Sequence, residues 1–251
     1  MNRKFESKVA VITGGNSGIG YATAKMLKDK GASVVITGRR RDAVESAASE
    51  IECDSFVADQ SILSDTDKLV TMVGKKYGKV DVLVINAGFG RYIPLEQTTE
   101  EQFDEIMNVN FKGAYFVLNK FIPILNDGAS VIFISSLTAS ISMLNTSVYA
   151  SSKAAVNTLI RIAARELAER KIRVNAVSPG VTDTALFSKT ISDPDALNGL
   201  MENLKSQIPL KRLGTSDEVA SLVLHLAGEE GAFITGSEFL IDGGSRLQPL
   251  N

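Results

Sequence analysis

Short runs of β-branched and aliphatic residues recur along this chain, and stretches of helical period lie between them. Val9-Ala10-Val11-Ile12, Ser33-Val34-Val35-Ile36, Val82-Leu83-Val84-Ile85 and Val131-Ile132-Phe133-Ile134 are apolar at nearly every position. A strand with one wet face alternates apolar and polar side chains, so a run without that alternation is covered on both faces. Arg173-Val174-Asn175-Ala176-Val177 and Phe239-Leu240-Ile241 are shorter runs of the same kind, and Ser55-Phe56-Val57 is a weaker one. Helical spacing marks residues 19–30, closed by Gly31, then 43–51, then 65–77, closed by Gly78. The long segment 100–125 and the series Val156, Leu159, Ile160, Ala163, Ala164 and Leu167 carry it too. Strand and helix in alternation predict an α/β fold, a doubly wound Rossmann-type parallel sheet of about seven strands with helices on both faces.

With 251 residues, 44% of them hydrophobic, the chain can bury one such core. No linker, repeat or low-complexity run divides it, so residues 1–251 read as a single domain. Residues 184–209 break the alternation, helical in pattern but mixed in polarity. They follow the C-terminal end of a strand, where open α/β sheets bind ligands, which makes them a candidate substrate lid. The net charge of −2 offers no field for nucleic acid or a membrane surface. A single cysteine, Cys53, excludes an intramolecular disulfide. The sole histidine, His225, lies in a strongly apolar helical stretch and reads as structural, so no metal is expected. Without a signal-peptide pattern or a bilayer-length apolar stretch, the expected location is the cytoplasm.

The first strand runs directly into Thr13-Gly14-Gly15-Asn16-Ser17-Gly18-Ile19-Gly20, which opens the first helix. Glycines allow a tight turn and close approach of the backbone to a pyrophosphate, and a helix N-terminus presents free N–H groups to it. The spacing is Gly-x-x-x-Gly-x-Gly rather than Gly-x-Gly-x-x-Gly. The second strand ends at Thr37-Gly38-Arg39. An acid at this strand end bonds the ribose 2′-hydroxyl of NAD, whereas its absence and a nearby arginine suit the 2′-phosphate of NADP. Gly38 stands where the acid would be, and Arg39 follows.

Tyr149 and Lys153 are four residues apart in a helical stretch, hence on one face of the helix. A phenol with its usual pKa of about 10 exchanges protons poorly at neutral pH, and a fixed cation nearby favours the phenolate. Ser136, thirteen positions before Tyr149, adds a hydroxyl that can bond a substrate oxygen.

Taken together, these residues resemble the short-chain dehydrogenase/reductase family over nearly the whole chain. Thr13 to Gly20 is similar to its cofactor motif, Asn86-Ala87-Gly88 to its Asn-Ala-Gly motif, and Ile241-Asp242-Gly243-Gly244 to its C-terminal signature. The resemblance implies a catalytic tetrad of Asn110, Ser136, Tyr149 and Lys153. It implies cofactor contacts from Thr13, Gly14, Asn16, Ser17, Gly18, Ile19, Gly20, Arg39, Asp59, Asn86, Ala87, Gly88, Tyr149, Lys153, Pro179, Gly180, Thr182 and Thr184. Asp59 would bond adenine, Lys153 the nicotinamide ribose, and the segment from Pro179 to Thr184 the carboxamide. Asn110 would hold a water linking Lys153 to solvent. Ile85 departs from the family pattern in replacing a first asparagine, and no basic residue precedes Gly18.

The implied activity is NADPH-dependent, reversible hydride transfer between the nicotinamide and a ketone or secondary alcohol. Phe89, Tyr92, Ile141, Met143, Leu144, Leu186, Phe187 and Ile191 would give the pocket an apolar wall suited to a hydrophobic carbonyl compound. Reduction of 3-oxoacyl groups on acyl carrier protein is an alternative, with Arg170 and Lys171 as part of a docking patch. A non-catalytic NADP-binding sensor is a second. Assembly as a homotetramer through residues 100–125 and 151–170 is the family expectation.

Overall fold

The computed structural model describes residues 4–183 and 193–247. The chain begins β1 (Val9–Ile12), α1 (Gly18–Asp29), β2 (Ser33–Gly38), α2 (Arg41–Ile51), β3 (Asp54–Val57), α3 (Leu63–Tyr77) and β4 (Val80–Ile85). After β4 come α4 (Glu100–Met107), α5 (Ala114–Phe121), β5 (Leu125–Ile134), α6 (Ser147–Glu166) and β6 (Arg173–Pro179). The last elements are β7 (Thr182–Asp183), α7 (Pro194–Gln207), β8 (Gly214–Thr215), α8 (Ser216–Ala227) and β9 (Glu238–Ile241).

Seven strands form one parallel sheet in the order β3-β2-β1-β4-β5-β6-β9. The chain winds outward from β1 to β3, then crosses back to β4 on the other side of β1. Consecutive crossovers diverge at that reversal and leave a crevice at the strands' C-terminal ends. The candidate site lies there.

Alternate side chains along each strand feed two cores, as the pleat requires. Val11, Leu83, Val131 and Phe133 pack with Leu69, Val73, Val117, Phe121, Val156 and Ile160 from α3, α5 and α6. Ala10, Ile12, Val82, Val84 and Ile132 pack on the opposite face with Ala24, Leu27, Val44, Ala47, Val219 and Val223 from α1, α2 and α8. The sheet is therefore covered on both sides, as the unbroken apolar runs predict.

The segment 100–125 is not one helix. Thr99 caps α4 in a reciprocal capping box with Gln102. Asn108–Gly113 then forms a π-helical turn before α5. The helical path ends at a 3-10 turn, Ile122–Ile124, which contains Pro123, and Leu125 already belongs to β5. The wider turn has a local cause. A Cβ on Gly113 would lie 2.5 Å from the carbonyl oxygen of Gln60, so the turn packs directly on the loop after β3. His225 is exposed on α8 and lines neither of the two cavities described below. No helix among the described residues is long and apolar enough to cross a membrane.

Candidate active site

The glycine-rich turn and the end of β4 are interlocked. Asn86 Nδ2 donates to the carbonyl oxygens of Thr13 and Gly14, both at 3.0 Å. The hydroxyl of Thr13 accepts from the N–H groups of Asn86 and Ala87, also at 3.0 Å. Gly14 sits at φ +65°, and a Cβ on Gly20 would fall 2.3 Å from the Gly14 oxygen. Glycine at 20 is thus a packing requirement of the turn itself. Ser17 precedes α1 in extended conformation and its side chain makes no capping bond. The first N–H groups of α1 are therefore left without a side-chain cap, as an anion-binding helix start requires.

Beside the turn lies a cavity of about 90 Å³ bordered by Thr13, Gly14, Gly38, Arg39, Asp59 and Gly88. A Cβ on Gly38 would lie 2.5 Å from Asn16 Oδ1 and 2.7 Å from a Val44 methyl. An acid is excluded from that strand end by space as well as by sequence. Arg39 is largely exposed, and its guanidinium stands 3.9 Å from Asp59. The other oxygen of Asp59 accepts from the N–H and the hydroxyl of Ser61, at 2.8 and 2.7 Å. A glycine-rich cradle at a helix start, with a cation at the rim, fits a nicotinamide dinucleotide.

A second cleft, about 280 Å³, is lined by Ser136, Tyr149, Lys153, Phe89, Tyr92, Met143, Pro179 and Thr182 among others. Ser136 follows β5, while Tyr149 and Lys153 occupy the first two turns of α6. The Ser136 hydroxyl is near enough to the Tyr149 phenol to pull its pKa downward. Lys153 Nζ donates to the Ile134 carbonyl at 2.8 Å and lies 6.0 Å from the centre of the Tyr149 ring. Burial pushes the Tyr149 phenol up, against the pull of the Ser136 hydroxyl, with Tyr92 adding to the rise. Burial also brings the Lys153 ammonium down to about 8. The sequence spacing predicted a phenol eased toward ionisation by its neighbouring cation. In the structure burial is the largest influence on the phenol, and it favours the protonated form.

Asn110, buried in the π-helical turn, clamps the backbone of Phe89. Its Nδ2 donates to the Phe89 carbonyl at 2.8 Å and its Oδ1 accepts from the Phe89 N–H at 3.0 Å. Nδ2 also reaches the Ser152 hydroxyl at 3.2 Å. The Asn110 side-chain amide is thus engaged with the protein itself. A Cβ on Gly88 would lie 3.1 Å from Asn110 Oδ1 and 3.3 Å from Lys153 Nζ, so Gly88 lets the floor of the cleft close up.

On the far side, Gly180 packs against Asp242 so tightly that a Cβ would lie 2.8 Å from the Asp242 Cα. Thr182 is nearly buried and donates to the Gly180 carbonyl at 3.1 Å. Asp242 accepts from the N–H groups of Gly244 and Arg246, and the Gly243 carbonyl receives the Leu210 N–H at 3.1 Å. The C-terminal signature is therefore a turn that supports the Pro179–Gly180 wall and anchors the end of the candidate lid.

The structure brings Ser136, Tyr149, Lys153, Gly88 and Asn86 to one cleft, with Asn110 behind its wall. Phe89, Tyr92 and Met143 line it as expected, whereas Ile141 and Leu144 do not. Thr184, Leu186, Phe187 and Ile191 lie outside the described residues. Sequence reasoning passed over Gln60, whose buried Nε2 donates to the carbonyls of Ala87 and Val109 at 3.1 and 2.9 Å. It also passed over Thr138, bonded to Ser136 at 2.9 Å. Two residues after an active-site strand end is where a hydroxyl can turn back on its neighbour, and that spacing was the available signal.

Comparisons with known proteins agree with this geometry. A family model described as enoyl-(acyl carrier protein) reductase matches residues 14–246. A 3-oxoacyl-[acyl-carrier-protein] reductase of Thermotoga maritima is 37% identical, over 96% of this chain and 98% of its own. Tropinone reductase-like 3 of Erythroxylum coca is 35% identical over 98% of this chain and 95% of its own. A solved short-chain dehydrogenase/reductase of Brucella melitensis, titled glucose/ribitol dehydrogenase, superimposes with a TM-score of 0.91 at 30% identity, covering 98% of this chain and 99% of that one.

Proposed function

The chain belongs to the short-chain dehydrogenase/reductase family of oxidoreductases, and on that premise we propose that it is an NADPH-dependent reductase of hydrophobic ketones. The carrying observation is that Ser136, Tyr149 and buried Lys153 line one cleft. When bound, the nicotinamide supplies hydride to, or accepts it from, a carbonyl carbon. Ser136 donates a hydrogen bond to the substrate oxygen, and Tyr149 gives that oxygen its proton. Protonated Tyr149, held so by burial, is the form that reduction needs. Lys153 lies at the cleft floor, where it would hold the nicotinamide ribose and favour the phenolate left after proton transfer. Arg39 would hold the 2′-phosphate, Asp59 the adenine, and Pro179, Gly180, Thr182 and Thr184 the carboxamide. Phe89, Tyr92 and Met143 support an apolar substrate.

Residues 184–209 would close over that substrate as a lid in this single-domain protein, and the anchoring of Leu210 on the Gly243 turn gives such a lid a fixed end. Phe103, Tyr115 and Ile162 are exposed on α4, α5 and α6, which supports the expected homotetramer. A cytoplasmic setting follows from the same reading.

A panel of carbonyl and alcohol compounds, followed at the NADPH absorbance with NADH in parallel, tests the proposal. Turnover of apolar ketones with a preference for NADPH supports it, and equal rates with NADH would remove the role given to Arg39. The Thermotoga maritima relative favours the second reading, a 3-oxoacyl-[acyl-carrier-protein] reductase. Against it, the Arg170 guanidinium is committed to Asp127 and to the carbonyls of Ile122 and Leu125, which takes it out of a docking patch. Acetoacetyl thioesters in the same panel separate the two. Tight NADPH binding without turnover of any compound would leave the sensor reading.

A further inference from the structure

We propose that Thr138 is a positioning residue that fixes Ser136 as a hydrogen-bond donor toward the reacting oxygen. The proposal rests on the reductase reading above and adds a residue to it. A serine hydroxyl has one proton to give and two lone pairs to receive with. Ser136 Oγ accepts from the Thr138 N–H at 3.2 Å and bonds the Thr138 hydroxyl at 2.9 Å with Thr138 as donor. Both lone pairs are then taken, and the single Ser136 proton is left to point into the cleft. Tyr149 lines the same cleft.

Without the Thr138 hydroxyl, Ser136 retains a free lone pair in a buried site. It can then accept from the Tyr149 O–H as readily as it donates. A ketone oxygen has no proton to give, so a Ser136 turned into an acceptor cannot bind it. The Thr138 hydroxyl removes that wrong orientation before substrate arrives. Ser135, the neighbouring hydroxyl, is buried and has no hydrogen-bond partner among the described residues, so it does not supply the same constraint.

The test uses the full-length protein and the ketone that the panel identifies as its best substrate. Thr138→Val keeps the shape and the N–H but loses the hydroxyl, and Thr138→Ser restores it. The expected results are a fall of about tenfold in kcat/KM for Thr138→Val, recovery to within about threefold in Thr138→Ser, and an NADPH KM unchanged in both. In a Ser136→Ala background, Thr138→Val should cost little more. A second readout needs no cofactor. In protein labelled with 13C at tyrosine Cζ, the Tyr149 resonance at pH 8 should move in Thr138→Val in the same direction as in Ser136→Ala. Wild-type kcat/KM in Thr138→Val, an unmoved Tyr149 resonance, or a full additional loss in the Ser136→Ala background each overturns the proposal, the last by showing that Thr138 acts on substrate directly. A wild-type protein that reduces no ketone overturns the reductase reading itself, and this proposal with it.

Discussion

Lys153 Nζ donates to the main-chain oxygen of Ile134 at 2.8 Å, beneath the floor of the cleft. That carbonyl lies at the C-terminal end of β5 and is the acceptor which Lys153 has among the described residues. One neutral acceptor compensates poorly for a fully desolvated ammonium, which is why burial alone brings it from the ordinary 10.5 to about 8.

The folded protein therefore gains stability as the medium turns alkaline. Below pH 8 the lysine is charged in both states and the folded state bears the desolvation cost. Between 8 and 10.5 the unfolded chain still holds the proton that the folded chain has released, so stability rises with pH. Lys153→Met removes this titration. Urea unfolding of both proteins should show the wild type gaining about 2 kcal/mol on the variant between pH 7.5 and 9.5. Staying below pH 10 avoids Tyr149, whose raised phenol acts with the opposite sign. Parallel pH profiles would show that Lys153 keeps its ordinary pKa.

Tyr149→Phe keeps the ring and removes the proton donor. Turnover of the best ketone should fall about a thousandfold, within the usual range for loss of a general acid. NADPH affinity, followed by fluorescence titration, should change by less than about threefold. A variant that retains near-normal kcat would exclude Tyr149 from the chemistry.

The sheet was legible because burial on both faces is written directly into the sequence as unbroken apolar runs. The start of β5 was not, since Asn126-Asp127-Gly128 has turn composition and Gly128 does lie at φ +81°. Leu125 nonetheless pairs with Val80, across a register shift that separates this pair from the rest of the ladder. Ser136, Tyr149 and Lys153 could be found by spacing because one helix and one strand end carry them. The tasks of Gln60 and Asn110 could not be found that way. Each bonds a backbone or hydroxyl whose position depends on how a loop folds back, and sequence distance does not encode that. The balance between burial and attraction at Tyr149 was hidden for the same reason. The helical spacing shows the cation but not the loss of solvent.

On the proposed NADPH reading, Arg39 and Gly38 divide the work of cofactor choice. Removing the cation in Arg39→Ala should raise the KM for NADPH by about 10- to 100-fold, the worth of one charge-assisted phosphate contact, and leave the KM for NADH within about twofold. Gly38→Asp, the obvious change toward NAD, should instead lower thermal stability, because its Cβ would meet Asn16 and Val44 at 2.5 and 2.7 Å. A stable Gly38→Asp variant with improved NADH kinetics would contradict this account of the strand end.

Asn110 and Ser152 offer a graded test of the clamp behind the cleft. The Asn110 amide satisfies both the N–H and the carbonyl of Phe89, so Asn110→Ala strips two partly buried backbone groups of their partner together. A fully buried group left unpaired costs about 1–3 kcal/mol, and for these two partly buried groups together the predicted loss in urea unfolding is about 2–3 kcal/mol. Ser152→Ala gives up the weaker Nδ2 contact at 3.2 Å and the bond from its hydroxyl to the Tyr149 carbonyl at 2.7 Å. That carbonyl belongs to a helix and keeps a backbone route to satisfaction, so the loss should stay near 1 kcal/mol. Activity should follow the same order, because Phe89 forms the wall facing Tyr149 and moves when its clamp is released. Equal losses in the two variants would place the stabilising contact at Ser152 and leave the Phe89 backbone held by something other than Asn110.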